Sequence, residues 1–302
     1  MGGRASKVMH RSGRSGVLLT AALLVGIAAC APVSPPARAV AELPPAAAPH
    51  ALQTAPARTL PGSALAPGEV EAELSRLRAA FAAEVAPSLG TPHDGDAERI
   101  TRARAILAAE GERIEAPQLL LFVDRNPAVQ EASILLARPA AAWAVIGGTR
   151  VSTGQAGRRG YYLTPLGVFH HTDAILDWRA EGTFNENGIR GLGLRGMRVW
   201  DFGWQEAAKG WRADGERGPI RLLVHATDPD LLEPRIGQPA SQGCIRLPAT
   251  MNLFLDRHGV LDADYERAAE EDPRFRALLL PEREPTPLAG RLLAVIESAE
   301  AL

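Results

Sequence analysis

The sequence predicts a mainly β domain, and three observations carry that prediction. Short apolar runs recur at close spacing from Leu119 onward, turn clusters separate them, and few helical periods fall between them. In chain order the runs are Leu119 to Val123, closed by Asp124-Arg125-Asn126-Pro127, then Val129 to Leu136, Trp143 to Val151, Gly167 to His170, and Ile220 to His225. Short joints between successive runs predict mostly antiparallel pairing.

Helices are expected on both sides of this β region. Val70, Leu74, Leu77, Phe81 and Val85 recur at spacings of four and three, the apolar face of an amphipathic helix. Asp96 to Glu110, with Ile100, Ile106 and Leu107, predicts a second. Together they make a helical segment over 68–116 that carries no chemistry of its own. Pro248 opens a further helix through Met251, Leu253, Phe254 and Leu255, since proline is tolerated in the first turn. Leu288 to Ile296 reads as an amphipathic helix in a C-terminal helical tail, 266–302, which leaves 117–265 as the β domain.

The front of the chain is different in kind. Arg4, Lys7, Arg11 and Arg14 precede an uncharged apolar run, Val17 to Ala29, whose thirteen residues are too few to span a bilayer, which takes roughly 20. Small residues lead into Cys30, so 1–30 resembles a bacterial lipoprotein signal whose cysteine sulfur takes a lipid; an ordinary cleaved signal peptide or a short anchor is the plainer alternative. From 31 to 67 the chain is dominated by Ala and Pro and is expected to be a disordered tether. The expected location is then the periplasmic side of the envelope, held to a membrane, the outer one, by lipid on Cys30. A net charge of -2 gives no electrostatic reason to expect a nucleic-acid partner.

Cys30 and Cys244 are the chain's two cysteines. With Cys30 assigned to lipid, Cys244 stands as a lone thiol in an exported protein, a liability unless it does chemistry. It sits in Ser241-Gln242-Gly243-Cys244-Ile245-Arg246, and fifteen residues separate Ser241 from His225, which closes an apolar strand. A thiol is nucleophilic as thiolate, and an imidazole within reach can take its proton and return it to a leaving group. Gly243 permits a strained turn, Ser241 can fix it, and the main-chain N–H groups of Gln242 and Gly243 are candidates for holding an oxyanion. The Ala226 carbonyl is placed to accept from the His225 ring and orient it. Arg246 has two readings of equal weight, a clamp for a substrate carboxylate or an ion pair steadying the turn.

These residues resemble the L,D-transpeptidase catalytic domain (the YkuD-type fold), whose pattern is a histidine, a gap of similar length, then Ser/Thr-His-Gly-Cys. A second match lies upstream in Val151-Ser152-Thr153-Gly154 and Thr164-Pro165-Leu166-Gly167-Val168-Phe169. The resemblance spans about 118–262. It implies a catalytic β-sandwich with short helices, a Cys244 nucleophile with His225 as base, no cofactor and no metal, and peptidoglycan stem peptides as substrate. One departure is plain: Gln242 stands where the family has histidine. Its amide can hydrogen-bond but cannot carry charge, which leaves rate, pH optimum and substrate preference open.

Transfer to an acceptor amine defines an L,D-transpeptidase; water resolving the same thioester defines an L,D-carboxypeptidase or cell-wall amide hydrolase. A non-catalytic peptidoglycan-binding lipoprotein is the alternative of another class, and the His225–Cys244 pair argues against it. His170-His171-x-Asp173 lacks further ligands at fixed spacing and reads as polar residues at a strand end. His258, before Gly259, reads as a cation at a helix C-terminus. The stretch 177–219, with Trp178, Trp200, Trp204, Trp211 and several glycines, falls between the two motifs and is expected to be a lid, its tryptophans individually serving to pack it down.

Overall fold

The apolar runs assemble into two sheets. The structure is a computed structural model that describes residues 65–89 and 95–299, so the signal segment, Cys30 and nearly all of the 31–67 tether lie outside the described residues. The first sheet contains β1 (Gln118–Asp124), β2 (Glu131–Ala137), β3 (Ala144–Arg150), β4 (Gly167–His170) and β9 (Leu292–Ile296), in the order β3-β2-β1-β9-β4. The second contains β5 (Trp178–Arg179), β6 (Arg198–Ala208), β7 (Arg217–Ala226) and β8 (Ile245–Leu247), in the order β5-β6-β7-β8. Pairing is antiparallel except for β1 with β9 and β7 with β8.

The sheets meet face to face. Leu119, Leu121 and Val123 of β1 and Ile134 and Leu136 of β2 share one core with Trp200, Leu222, Val224, Ile245 and Leu247 of the second sheet. The alternate residues Leu120, Phe122, Leu135 and Ala137 pack on the other side against Ala103 and Leu107 of α2 (Asp96–Ala109). The first sheet is therefore buried on both faces, which is why its strands read as unbroken apolar runs rather than alternating ones.

α1 (Pro67–Glu84) places Val70, Leu74, Leu77 and Phe81 in the inter-sheet core. Pro67 occupies its first turn, and the Glu69 carboxylate accepts from the Ala66 N–H at 2.7 Å. Phe81 meets Phe254 of α3 (Ala249–Arg257) edge-on, ring centroids 5.1 Å apart. The segment 68–116 is thus not a preface: its two helices cover opposite faces of the first sheet. His258 ends α3, fully buried, with Nε2 3.3 Å from the Glu84 carboxylate of α1.

Two expectations are corrected at the C-terminal end. The stretch Leu288 to Ile296 is not a helix: β9 lies inside the first sheet, parallel to β1 and antiparallel to β4. Leu292, Leu293, Ala294 and Val295 are all buried, so this strand shows no two-residue alternation, and its apolar spacing imitates a helix. Its approach is tight, since a Cβ on Gly290 would lie 1.7 Å from the Leu119 carbonyl oxygen. The β domain consequently does not end at 265. α4 (Ala263–Glu271) crosses that point, α5 (Pro273–Leu278) follows, and β9 completes the sheet.

The segment 177–219 is corrected as well. It holds β5, all of β6 and the start of β7, so much of it is regular sheet. Trp200 is core, whereas Trp204 is 67% exposed and Trp211 stacks edge-on against Tyr162. A register shift between Asp201 and Trp204 interrupts the alternation that would have marked β6 as a strand. What remains irregular, between β5 and β6, covers the outer face of the second sheet through Leu192 and Met197.

A buried charge cluster ties these pieces together. His171, fully buried, has Nδ1 2.8 Å from the Leu261 carbonyl and Nε2 2.9 Å from Asp177 Oδ2. Asp177 also accepts from Arg198 Nε at 2.9 Å and from the Asp201 N–H at 2.9 Å. Arg198 in turn faces Asp262 and Asp256. His170 ends β4 and His171 follows it, so the pair does stand at a strand end, but His171 is fully buried and paired with Asp177. Its two ring nitrogens face acceptors that cannot donate, so both carry protons. Burial opposes that charge, but Asp177 and Asp262 outweigh it and hold the pKa above the ordinary value.

Candidate active site

The second sheet has an inner face in the core and an outer face that the segment before β6 covers in part, and strand alternation decides which side chains share them. Leu222, Val224, Ile245 and Leu247 point inward. Arg221, Leu223 and His225 of β7 therefore point outward, as does Arg246 of β8. Val224 pairs with Ile245 and His225 with Arg246 in the parallel β7–β8 ladder, so Cys244 enters one step earlier, beside Leu223. Parallel neighbours thus bring Cys244 and His225 onto one face of adjacent strands, although 18 residues lie between them in the chain.

His225 is 3% exposed, and its Nδ1 donates to the Ala226 carbonyl at 2.6 Å. Because a carbonyl only accepts, the proton of the neutral ring sits on Nδ1 and Nε2 keeps its lone pair. Burial pushes the His225 pKa down to about 4; the Ala226 carbonyl works against that shift and the Arg246 charge adds to it. The ring is neutral at pH 7.

The turn before Cys244 is built around Ser241. Its hydroxyl donates to the Cys244 carbonyl at 2.6 Å and accepts from the Gly243 N–H at 3.1 Å. This fixes the turn, and it corrects one expectation: the Gly243 N–H is occupied and is not available to an oxyanion. Gly243 has φ +129, a conformation that favours glycine, and a Cβ there would also press on the end of the Ile220 side chain. Gln242 is exposed, and its carbonyl accepts from the Tyr162 N–H at 3.3 Å.

The upstream motif buttresses this turn. Ser152 bridges Arg246 through two main-chain hydrogen bonds, and the Thr153 carbonyl accepts from the Ala240 and Ser241 N–H groups. Buried Thr164 accepts from the Gly154 N–H at 2.9 Å and donates to the Gly243 carbonyl at 2.8 Å. The two separated motifs are therefore two walls of one site.

Cys244 is half-buried, and burial pushes its thiol pKa up; the Leu223 main chain and the Arg246 charge favour thiolate, while Asp201 opposes it. Sγ lies 3.9 Å from the Arg221 carbonyl, and no hydrogen bond joins it to His225. With a neutral ring and a protonated thiol, the resting pair is uncharged. Arg246 donates from Nη1 to the Ala240 carbonyl at 3.2 Å, its Nε is buried without a hydrogen-bond partner, and among the described residues no carboxylate pairs with it. The ion-pair alternative for Arg246 is thus not what forms; a cation without a counter-ion stands beside the thiol.

Sequence reading missed Asp201 and Arg221. The fully buried Asp201 carboxylate receives Arg221 Nε at 2.7 Å and Nη2 at 2.5 Å. Neither position carries a motif, and only the sheet register places them beside Cys244. Among the described residues no group of three or more His, Cys, Asp or Glu side chains is arranged to hold a metal ion, and no helix is long and apolar enough to cross a membrane. In comparisons with known proteins, neither the family models nor the curated sequences match this chain.

Proposed function

We propose that the protein is a cysteine-dependent L,D-transpeptidase that acts on peptidoglycan stem peptides through a thioester on Cys244. The observation that carries this reading is the His225 ring, oriented by the Ala226 carbonyl with a free Nε2 and set on the same sheet face as Cys244. Two facing sheets with short helices suit the YkuD-type sandwich that the sequence resembles.

Rotation of the Cys244 side chain from the Arg221 carbonyl toward His225 lets Nε2 take the thiol proton as Sγ attacks the carbonyl of the L-centre. Collapse of the tetrahedral intermediate breaks the amide bond, and His225 returns the proton to the departing D-amino acid. An acceptor amine then attacks the thioester and releases the enzyme thiol. Arg246 supplies a positive charge for a substrate carboxylate. In this reading the chain is a lipoprotein, held by lipid on Cys30 to the outer membrane and working on the periplasmic side.

The test is incubation of the soluble domain with tetrapeptide muropeptides and mass analysis of products and protein. A covalent adduct on Cys244 with crosslinked dimers supports transfer. Released D-amino acid without dimers moves the assignment to hydrolysis. No adduct and no product, with wild type matching Cys244→Ala, overturns both.

A further inference from the structure

The outer face of the second sheet continues past Cys244 in a row the chemistry above does not use. Residues two apart on a strand share a face at intervals of about 7 Å. One row holds His225 and Arg246, and the next holds Leu223 with Cys244 beside it. The third holds Arg221 and its antiparallel partner Trp204. Cys244 therefore sits between two cations, Arg246 on one side along the strands and Arg221 on the other.

Arg221 differs from an ordinary surface arginine. Asp201, with no exposed side-chain surface, grips it by Nε and Nη2, while the Arg221 side chain is 45% exposed. Among the described residues Nη1 has no hydrogen-bond partner, and the guanidinium carbon stands 6.0 Å from the Trp178 ring centroid. One edge of the guanidinium is thus anchored by Asp201, and Nη1 keeps its hydrogen-bonding capacity on a side chain that is nearly half exposed. A fixed fork of this kind matches a carboxylate, and it loses little freedom on binding. Trp204, 67% exposed, offers an apolar ring in the same row.

We propose that Arg221, positioned by Asp201, is a specificity residue that binds a second free carboxylate of the stem peptide, on the side of the scissile bond opposite to Arg246. The inference rests on the transpeptidase reading of Cys244, and it names the substrate class within it: stems with a free acid on each side of the bond. Trp204 packs against the aliphatic part of the residue that bears this second acid.

The experiment measures thioester formation on Cys244 with pairs of stem peptides that differ only by amidation of one internal carboxylate. Wild type is expected to acylate roughly ten- to hundredfold faster with the free acid, the range of a bidentate charged hydrogen bond. Arg221→Gln should bring that ratio toward one. Asp201→Asn/Arg221→Gln should do the same without leaving a buried carboxylate unpaired, which covers misfolding of the single variant. Arg217→Gln, farther out on the same strand, should keep the wild-type ratio. A thioester that forms at equal rates with acid and amide in wild type, or a ratio that survives Arg221→Gln, overturns the proposal alone. No thioester with any peptide overturns the transpeptidase reading and this proposal with it.

Discussion

The Nδ1 atom of His225 lies 2.6 Å from the carbonyl oxygen of Ala226, the next residue in the chain. This single contact fixes the tautomer of a buried, neutral imidazole. It sets His225 apart from His171, whose ring nitrogens both face acceptors. The two histidines should therefore be distinguishable by nitrogen NMR at neutral pH. His225 is expected as neutral ring with the proton on Nδ1, and His171 as imidazolium. A neutral signal for His171, or a charged one for His225, contradicts the geometry.

The pH response of the thiol follows from the same pair. The His225 pKa is pushed down to about 4 and the Cys244 thiol is pushed up, so no thiolate–imidazolium pair forms at rest. Alkylation of Cys244 by iodoacetamide is expected to climb with pH until it passes the ordinary thiol pKa of about 8.5. A plateau reached already near pH 5 would show an ion pair and would refute this assignment. His225→Asn should slow stem-peptide acylation by about 10²–10⁴, the usual contribution of a positioned base.

Stability should depend on pH in two opposite senses. The folded His225 pKa of about 4 lies below the ordinary 6.5, so the unfolded chain binds the extra proton first. Its contribution is present above 6.5 and is lost as pH falls toward 4. His171 has a raised pKa, so its contribution is present below 6.5 and is lost as pH rises through the raised value. His171→Gln should remove the second dependence, measured as the change in unfolding free energy with pH. Breaking the buried pair with Asp177 should itself cost about 3–5 kcal/mol.

Much of the site was legible in the sequence, for a physical reason. The proposed chemistry requires Cys244, His225 and Ser241 to be of fixed type and spacing, so the candidate site leaves a pattern. The helices at 67–84 and 96–109 were legible from their apolar periods, and the first strands from short apolar runs closed by turn clusters, a closing signal that β9 lacks. β9 was not, since a strand buried on both faces has no period to read. β6 was not, since its register shift breaks alternation. Asp201 and Arg221 were invisible because each gains its meaning only from the neighbouring strand.

Thr164 is a small residue with a large expected effect. Its buried hydroxyl links the Gly154 N–H to the Gly243 carbonyl, so it joins the two motif walls across the turn that presents Cys244. Thr164→Val keeps the shape and deletes both hydrogen bonds. The stranded N–H and carbonyl should cost about 2–4 kcal/mol together, read from the urea midpoint. Acylation of Cys244 should fall further than stability alone accounts for, under conditions where the variant is still fully folded. A variant that loses stability but acylates at the wild-type rate would show that the turn holds its shape without Thr164.

The C-terminal strand supplies the sharpest test of the fold. β9 hydrogen-bonds to β1 on one side and β4 on the other, so the first sheet cannot close without it. Removing residues from 291 onward should abolish cooperative unfolding, whereas a dispensable helical tail would leave a folded, stable domain. Leu293→Ala asks the same question more gently. Leu293 is fully buried in the inter-sheet core, and its truncation should cost about 2–5 kcal/mol. Gly290→Ala isolates the entry to the strand, where a Cβ would collide with the Leu119 carbonyl oxygen and force two main-chain segments apart. A Gly290→Ala variant as stable as wild type would mean that β9 does not run against β1 as described.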